Sequence, residues 1–230
     1  MVDAAHKSDP RGIALDAGLP LAGLAEALHA ALEEPSAGSI HALRTIAAKY
    51  EARLRLCGRR ALRDDLRALR RACATVRDLD ACPPHALVAE ELHARRAEAA
   101  ATLAGELRAM DRDALCTALS FVPGADLARA LERLRAWQRK FLEQGRAAWR
   151  HEDAGALHAL RRRARRIRHA REWLGLDAAA FARAHSALGR WHDFHVSGAP
   201  DKALLDESVR AAKAAWRDAV RRVLEEGGAP

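Results

Sequence analysis

The stretch Leu157-His158-Ala159-Leu160-Arg161 opens a segment dense in arginine, and a near copy, Ile40-His41-Ala42-Leu43-Arg44, opens a similar segment earlier in the chain. A second landmark follows each copy, Val76-Arg77-Asp78-Leu79-Asp80 in the first case and Trp191-His192-Asp193-Phe194-His195 in the second. The two histidines of the first landmark are 117 residues apart, and the central aspartates of the second are 115 apart. Two landmarks that recur in the same order at nearly the same spacing indicate an internal duplication.

The composition favours a folded, basic protein. Half of the 230 residues are hydrophobic, which is enough to build a core, and 39 Lys and Arg against 31 Asp and Glu give a net charge of +8. Such an excess favours a polyanionic partner: nucleic acid, an anionic membrane surface or a phosphate polymer. A basic surface that only faces water is the alternative.

The cysteines and the chain start bear on the compartment. The four cysteines show neither metal-ligand spacing nor a disulfide framework. The first ten residues lack an apolar signal region, and no apolar run is long enough to span a membrane. We therefore expect a soluble cytoplasmic protein that does not act on membranes.

Apolar residues recur at helical spacing almost throughout, and β-branched residues are few, so we predict an all-α fold. The predicted helices cover 20–33, 39–57, 59–79, 84–110, 125–150, 153–174, 177–196 and 201–226. The simplest arrangement is two four-helix bundles, 19–111 and 125–226, joined by a connector at 112–124 and packed side by side into one compact domain, 19–226. Residues 1–18 are predicted to be frayed.

The predicted helix 153–174 has two chemically different sides. Its apolar side carries Leu157, Leu160, Ala164, Ile167 and Leu174. Its opposite side carries His158, Arg161, Arg162, Arg165, Arg168 and His169. Like charges three and four residues apart repel by a few tenths of a kcal/mol per pair, so we expect an external anion to neutralise them.

The first half repeats this division on two helices. Ile40, Leu43, Ala47, Tyr50 and Leu54 form the apolar side of one helix, and Leu62, Leu66, Leu69, Cys73 and Val76 that of the next. The basic side of the first helix carries His41, Arg44, Arg55 and Arg59, with Lys49 at its border, and that of the second carries Arg60, Arg63, Arg67, Arg70 and Arg71. The candidate anion-binding residues among them are His41, Arg44, Lys49, Arg55, Arg60, Arg63 and Arg67. Because the apolar sides are buried, the basic sides should be exposed or line a groove between the halves, where the potential is concentrated. Arginine suits phosphate because its planar fork donates paired hydrogen bonds.

Three acidic residues lie close to this basic set in the sequence. Glu172 follows Arg168 by one helical turn and could orient it. Asp78 and Asp193 are too few for catalysis, and we expect them to accept hydrogen bonds from an arginine or a histidine. Ordinary salt bridging at a helix end is the equal alternative.

The doubled pattern of His-x-x-Arg, further basic residues at helical spacing and an Arg-Asp or Gly-x-x-x-Asp segment resembles the conserved histidine α-helical domain, CHAD. The second half matches in Leu157-His158-Ala159-Leu160-Arg161, the basic run to Arg168, Glu172, and Leu188-Gly189-Arg190-Trp191-His192-Asp193. The first half matches in His41, Arg44, Lys49 and Val76-Arg77-Asp78-Leu79-Asp80. The resemblance spans about residues 20 to 225.

The resemblance implies two four-helix bundles related by a pseudo-twofold axis, with a basic surface or central channel that binds inorganic polyphosphate. Carried over to this chain, the phosphate contacts would be His41, Arg44, Lys49, His158, Arg161, Arg165 and Arg168. Three positions depart from the family pattern. Ala48 stands where a basic residue is usual, Cys73-Ala74 replaces Leu-Gly, and His169 replaces a common tyrosine.

Family members are often fused to a triphosphate tunnel domain, which would supply hydrolysis. This chain has no Glu-x-Glu-x-Lys motif and no room for an eight-stranded β region, so such an enzyme would be a separate partner. We expect no catalysis and no cofactor, because no nucleophile and base face the basic side together. The expected partners are polyphosphate or another phosphate-rich polyanion, a separate triphosphate tunnel enzyme, and proteins of polyphosphate granules, where the protein would localise.

Two other functions compete with polyphosphate binding. Nucleic-acid binding is disfavoured because aromatic residues are only 4% and the five tryptophans fall at helical core spacing. A metal or histidine phosphoacceptor site is the alternative from another class: His192 and His195 flank Asp193 within one turn, although a third ligand is not identifiable. Because the second half keeps the full basic stripe, we expect the strongest phosphate binding around His158.

Overall fold

The computed structural model contains only helices and irregular segments in the part of the chain that it describes. That part comprises residues 21–58, 61–80, 89–113, 115–116, 126–151, 153–197 and 201–227. Its helices are α1 (Leu21–Glu33), α2 (Ala37–Cys57), α3 (Ala61–Ala72), α4 (Ala74–Asp80), α5 (Ala89–Ala109), α6 (Leu127–His151), α7 (Ala154–Trp173), α8 (Ala179–Ser197) and α9 (Lys202–Gly227). The all-α prediction is confirmed. Residues 1–18 and most of the predicted connector lie outside the described residues.

One predicted helix is divided. The sequence predicts a continuous helix over 59–79, whereas the structure has a turn at Cys73 between α3 and α4. Arg44 of α2 donates a hydrogen bond from Nη1 to the carbonyl oxygen of Arg70 (3.4 Å), near the carboxyl end of α3. The positive charge of Arg44, which belongs to α2, thereby stabilises the carboxyl end of α3.

Local signals define the ends of the two helices that build the site. The Ser36 side chain accepts from the Ser39 amide (3.1 Å) before α2, and Gly58 ends that helix at φ 76°. Asp153 accepts from the Gly155 amide (2.9 Å) before α7. These are ordinary N-cap and glycine C-cap arrangements, and a side chain at Gly58 would be strained because the backbone is left-handed there.

The apolar sides predicted from the sequence are buried in two hydrophobic cores, apart from Leu62, whose side chain lies outside the described part of the chain. The first core contains Leu24, Leu28, Ile40, Leu43, Tyr50, Leu54, Leu66, Leu69, Cys73, Val76, Leu103 and Leu107. The second contains Leu134, Phe141, Trp149, Leu157, Leu160, Ile167, Trp173, Phe181, Leu188, Trp191 and Trp216. Each large apolar side chain contributes about 1.5–3 kcal/mol by its burial. The pseudo-twofold relation between the halves stays a prediction.

Helix α2 connects the two cores. Most of its buried residues belong to the first core, but Leu56 at its end belongs to the second. Arg133 of α6 donates to the Leu56 carbonyl, and its guanidinium lies against Gly58. Along its length α2 packs against α7 and α6. A face of α2 is thereby placed opposite the basic face of α7. None of the described helices is both long and apolar enough to cross a membrane.

Candidate anion-binding site

A cavity of about 350 Å3 lies where α2 and α7 meet, with α3, α4 and α8 at its borders. We call it the larger cavity. It is lined by His41, Arg44, Thr45, Ala48, Arg70, Arg77, Arg161, Arg165, Arg168, His169 and His185. Six of these residues are arginines and three are histidines, and no carboxylate is among the described residues that line it. Both halves of the chain therefore contribute positive charge to one enclosed space.

A second cavity of about 180 Å3, the smaller cavity, adjoins the first. Its lining residues are Ala48, Glu51, Ala52, Arg55, Arg67, Arg70, Arg162, Arg165, Arg166 and His169. Four residues line both cavities: Ala48, Arg70, Arg165 and His169. Arg165 thus lies at the junction, between a carboxylate-free cavity and one that contains Glu51.

The spacing along α2 explains how one helix lines both cavities. His41, Arg44, Ala48, Glu51 and Arg55 follow one another at steps of three and four, so they share a face of the helix. This face lies beside the apolar stripe that enters the first core. Small residues in its middle, Thr45, Ala48 and Ala52, leave space for the long arginine side chains of α7.

Glu51 is the anion at the centre of the smaller cavity, and only 7% of the residue is exposed. Its Oε1 accepts from Nε and Nη2 of Arg55 (3.0 and 2.7 Å), its Oε2 accepts from Nη1 of Arg70, and Arg67 Nε lies 3.5 Å from Oε1. Burial raises the pKa of Glu51, but the hydrogen bonds from Arg55 and the charge of Arg70 outweigh burial and hold that pKa below its usual value. Glu51 is therefore ionised at neutral pH.

Arginines of the site are held close together at an electrostatic cost. Burial, and after it the neighbouring charge of Arg70, lowers the pKa of Arg165 to about 10. Burial and then Arg55 lower the pKa of Arg166 to about 10 as well. Arg166 lies over the Trp137 ring at 5.6 Å, which partly compensates its charge. Among the described carboxylates, none lies within ion-pair distance of Arg165.

Two histidines of the larger cavity are neutral at physiological pH. Burial lowers the pKa of His169 to about 4, although the hydrogen-bonded Glu172 acts in the opposite direction, and its Nδ1 lies 3.1 Å from Glu172 Oε2. Burial and then the charge of Arg165 lower the pKa of His185 to about 4. An anion in the cavity would favour their charged forms.

Carboxylates at the border hold three arginines in place. Glu172 Oε1 accepts from Arg168 Nε at 2.8 Å, which is the arrangement predicted for this pair. Asp78 accepts from the adjacent Arg77, and Asp193 Oδ1 lies 3.8 Å from Arg161 Nη1. Each of these arginines lines the larger cavity.

The Gly-x-x-x-Asp segment of α8, Gly189 to Asp193, lies against the guanidinium of Arg161. A Cβ atom at Gly189 would lie 3.3 Å from Arg161 Nη2, so the absence of a side chain there gives the guanidinium room to cross α8. Asp193 follows one turn later on the same side of the helix, at 3.8 Å from Arg161. In this motif Gly189 leaves space for the Arg161 side chain, and Asp193 provides a carboxylate close to its guanidinium.

Of the predicted anion-binding residues, nine line the two cavities. They are His41, Arg44, Arg55, Arg67, Arg161, Arg162, Arg165, Arg168 and His169. Arg60 lies outside the described residues. Lys49 and Arg63 line neither cavity, and Arg63 instead contacts its neighbour Asp64 (3.4 Å).

His158 does not lie where the sequence suggested. It is at the start of α7 and lines neither cavity, because its ring packs against His192 of α8 with centroids 4.6 Å apart. The centre of the basic cluster is Arg165, two turns further along the helix. His195 stacks on Trp191 at 5.3 Å, and no group of three or more His, Cys, Asp and Glu in the described part of the chain is arranged to hold a metal ion.

Five ionisable lining residues are absent from the predicted set: Glu51, Arg70, Arg77, Arg166 and His185. Glu51 precedes Arg55 by four residues, a spacing that pairs opposite charges on a helix. His185 precedes Gly189 by four residues and Asp193 by eight, so it shares their side of α8. These spacings are visible in the sequence and could have identified both residues.

The described helices and their two cores define an all-α helical protein. The crystal structure of the CHAD domain from the plant Ricinus communis matches this fold with a TM-score of 0.60 and 20% sequence identity, over 90% of this chain and 82% of that chain. No protein-family model matches the sequence, and no curated protein matches it. The chain therefore has a CHAD-like fold, and the resemblance inferred from the doubled motif is confirmed at the level of the fold.

Proposed function

We propose that the protein is a non-catalytic binding module for inorganic polyphosphate, which it holds in the larger cavity. The observation that carries the proposal is the lining of that cavity: six arginines and three histidines from both halves of the chain, without a carboxylate among the described lining residues. Arginine forks donate paired hydrogen bonds to phosphate oxygens, and successive phosphates of a polymer can engage several forks together.

Multivalency supplies the affinity. An exposed ion pair contributes only about 0.2–1 kcal/mol, but the arginines of the cavity are partly buried and a linked chain of phosphates binds them without separate losses of translational entropy. A bound anion would also reduce the mutual repulsion among the arginines of the cavity. Besides burial, the charges of Arg77 and Arg70 lower the pKa of Arg44, and the charge of Arg70 lowers that of Arg165. Binding should weaken steeply with salt because counterions are released.

The test is a titration of the purified protein with long-chain polyphosphate at several salt concentrations, beside double-stranded DNA of matched total charge. We expect tighter binding of polyphosphate at every salt concentration. Equal affinity for both polymers would contradict a polyphosphate site and favour a surface that binds any polyanion. DNA is disfavoured because its duplex is too wide to enter a cavity of about 350 Å3.

A matched pair of triple variants distinguishes the cavity from overall charge. The variant Arg161→Ala, Arg165→Ala and Arg168→Ala removes three cavity arginines. The variant Arg135→Ala, Arg139→Ala and Arg146→Ala removes three exposed arginines of α6 that line neither cavity. Only the first should weaken polyphosphate binding strongly, by at least a hundredfold at moderate salt. Similar losses in both would refute the cavity as the site, and circular dichroism verifies that helix content is kept.

A polyphosphate module of this kind would act beside other proteins. Granule attachment and partnership with a separate triphosphate tunnel enzyme both follow from the proposal, because neither requires catalysis by this chain. Co-sedimentation of the purified protein with isolated polyphosphate granules tests the first, and the cavity triple variant should remain in the supernatant.

A further inference from the structure

The two cavities differ in one respect that bears on the ligand. Each is lined by six arginines, but the smaller cavity also contains the carboxylate of Glu51. That carboxylate is almost fully buried and contacts three of the arginines, Arg55, Arg67 and Arg70. The smaller cavity is therefore already occupied by an anion that belongs to the protein itself.

Carboxylate and phosphate compete for the same donors. Both accept the paired hydrogen bonds of a guanidinium fork, and Glu51 accepts Nε and Nη2 of Arg55 together on one oxygen. A phosphate that entered the smaller cavity would have to displace Glu51 or share these arginines with it. Arg165, which lines both cavities, has no carboxylate within ion-pair distance among the described residues, so a phosphate in the larger cavity meets no such competition for this arginine.

Arg70 connects the two environments. It lines both cavities, its Nη1 donates to Glu51, and its Nε is buried without a hydrogen-bond partner in the described structure. An unsatisfied buried donor favours an incoming acceptor, because its desolvation has not been compensated. Arg70 can thus serve a phosphate in the larger cavity while Glu51 retains the other side of the fork.

We propose that Glu51 sets the length of phosphate chain that the site binds, by occupying the anion position of the smaller cavity and confining a short run of phosphates to the larger one. This inference rests on the proposed function. A long chain then gains little over a short one, since its further phosphates meet the Glu51 carboxylate, which repels them and already engages Arg55, Arg67 and Arg70. Removing the Glu51 charge should extend the binding surface into the smaller cavity.

The experiment compares tripolyphosphate and long-chain polyphosphate, at equal concentrations of chains, as ligands of the wild-type protein and of Glu51→Gln. We expect the variant to bind the long chain about tenfold more tightly than the wild type, since two or three arginines become available, and to bind tripolyphosphate within about threefold of the wild type. Asp218→Asn is the charge-matched control: it frees Arg183, which lines neither cavity, and should alter neither affinity beyond twofold.

The outcomes separate this inference from the proposed function. Equal gains for both ligands in Glu51→Gln, or no gain for either, would overturn the role of Glu51 while leaving polyphosphate binding intact. Failure of the wild-type protein to bind either ligand would instead refute the proposed function.

A second pair of variants keeps the test valid if Glu51→Gln does not fold. Arg67 lines only the smaller cavity and is 44% exposed, whereas Arg168 lines only the larger cavity. If Glu51 already neutralises the smaller cavity, Arg67→Gln should weaken long-chain binding less than twofold and Arg168→Gln about tenfold or more. Equal losses in the two variants would show that long chains use both cavities in the wild type, and would overturn the inference.

Discussion

Replacing Arg165 by methionine should make the unliganded protein more stable, although it removes a residue from the centre of the site. Methionine keeps most of the aliphatic stem and removes the charge. Burial and the neighbouring Arg70 lower the pKa of Arg165 to about 10, so the charged form is less favourable in the folded protein than in the unfolded chain. This cost is fully present below pH 10 and declines as the pH rises from the folded-state pKa towards the ordinary arginine pKa of the unfolded chain.

The size of the effect follows from that pKa. A depression from the ordinary arginine value to about 10 corresponds to roughly 3 kcal/mol of unfavourable free energy at neutral pH. We expect about 1–2 kcal/mol to be recovered in Arg165→Met, since the long side chain can turn its charged end towards water in the cavities. For a protein of this length that raises the melting temperature by about 2–8 °C.

Arg171, six residues further along α7, is the matched comparison. It is 1% exposed, but its Nη1 and Nη2 each lie 2.6 Å from an oxygen of Glu226, and its Nε donates to the Asp177 carbonyl. Arg171→Met should therefore lower stability, by about 2–3 kcal/mol, because a partly buried carboxylate and a carbonyl lose their donor. Arg222 also contacts Glu226 (3.0 Å), which limits the loss.

Urea unfolding followed by tryptophan fluorescence, with and without tripolyphosphate, measures both variants. Wild type and Arg171→Met should be stabilised by the ligand to similar extents, and Arg165→Met much less. If Arg165→Met were less stable than the wild type without ligand and equally stabilised by it, then neither the electrostatic cost nor the role of Arg165 in binding would be correct.

Two further predictions concern packing and pH. Gly145→Ala should lower stability by about 2–3 kcal/mol in urea unfolding, because its Cβ would collide with the indole ring of Trp216. Gly105→Ala has open space around it and should raise stability slightly, so equal effects of the two substitutions would contradict the packing. The unliganded protein should lose stability as the pH falls from about 6.5 to 4, since the unfolded chain protonates His169 and His185 first. The double variant His169→Asn, His185→Asn should show a smaller loss, and an unchanged loss would exclude these histidines as its cause.

The helices could be predicted well because each one carries its own signals. Apolar residues at steps of three and four predict the buried faces, and in the structure Ser36, Gly58 and Asp153 cap the ends of two of the helices. The turn at Cys73 was missed because neither glycine nor proline stands there. A hydrogen bond from Arg44 of α2 to the Arg70 carbonyl stabilises the chain near this turn. A contact between two helices of this kind cannot be predicted from the residues around the turn.

The candidate site could be predicted only in part, for a geometric reason. Helical spacing shows which residues share a face, but the cavity residues are chosen by the rotation and register of α2 against α7. His158 belongs to the same side of α7 as Arg165, yet it lies far enough along the helix to pack on His192 instead. Glu51 lies on the face of α2 that lines the smaller cavity, where it is surrounded by arginines. The sequence prediction considered basic residues as phosphate ligands and therefore did not include it.

Ala48 shows how the two halves of the site depend on one another. A basic residue is usual at this position in the family that the sequence resembles. In the structure Ala48 is 7% exposed and lines both cavities, beside Arg70 of α3 and Arg165 of α7. A long side chain at this position would compete with those two arginines for the junction between the cavities. The charge is therefore supplied from neighbouring helices, and the small residue on α2 is what leaves room for it.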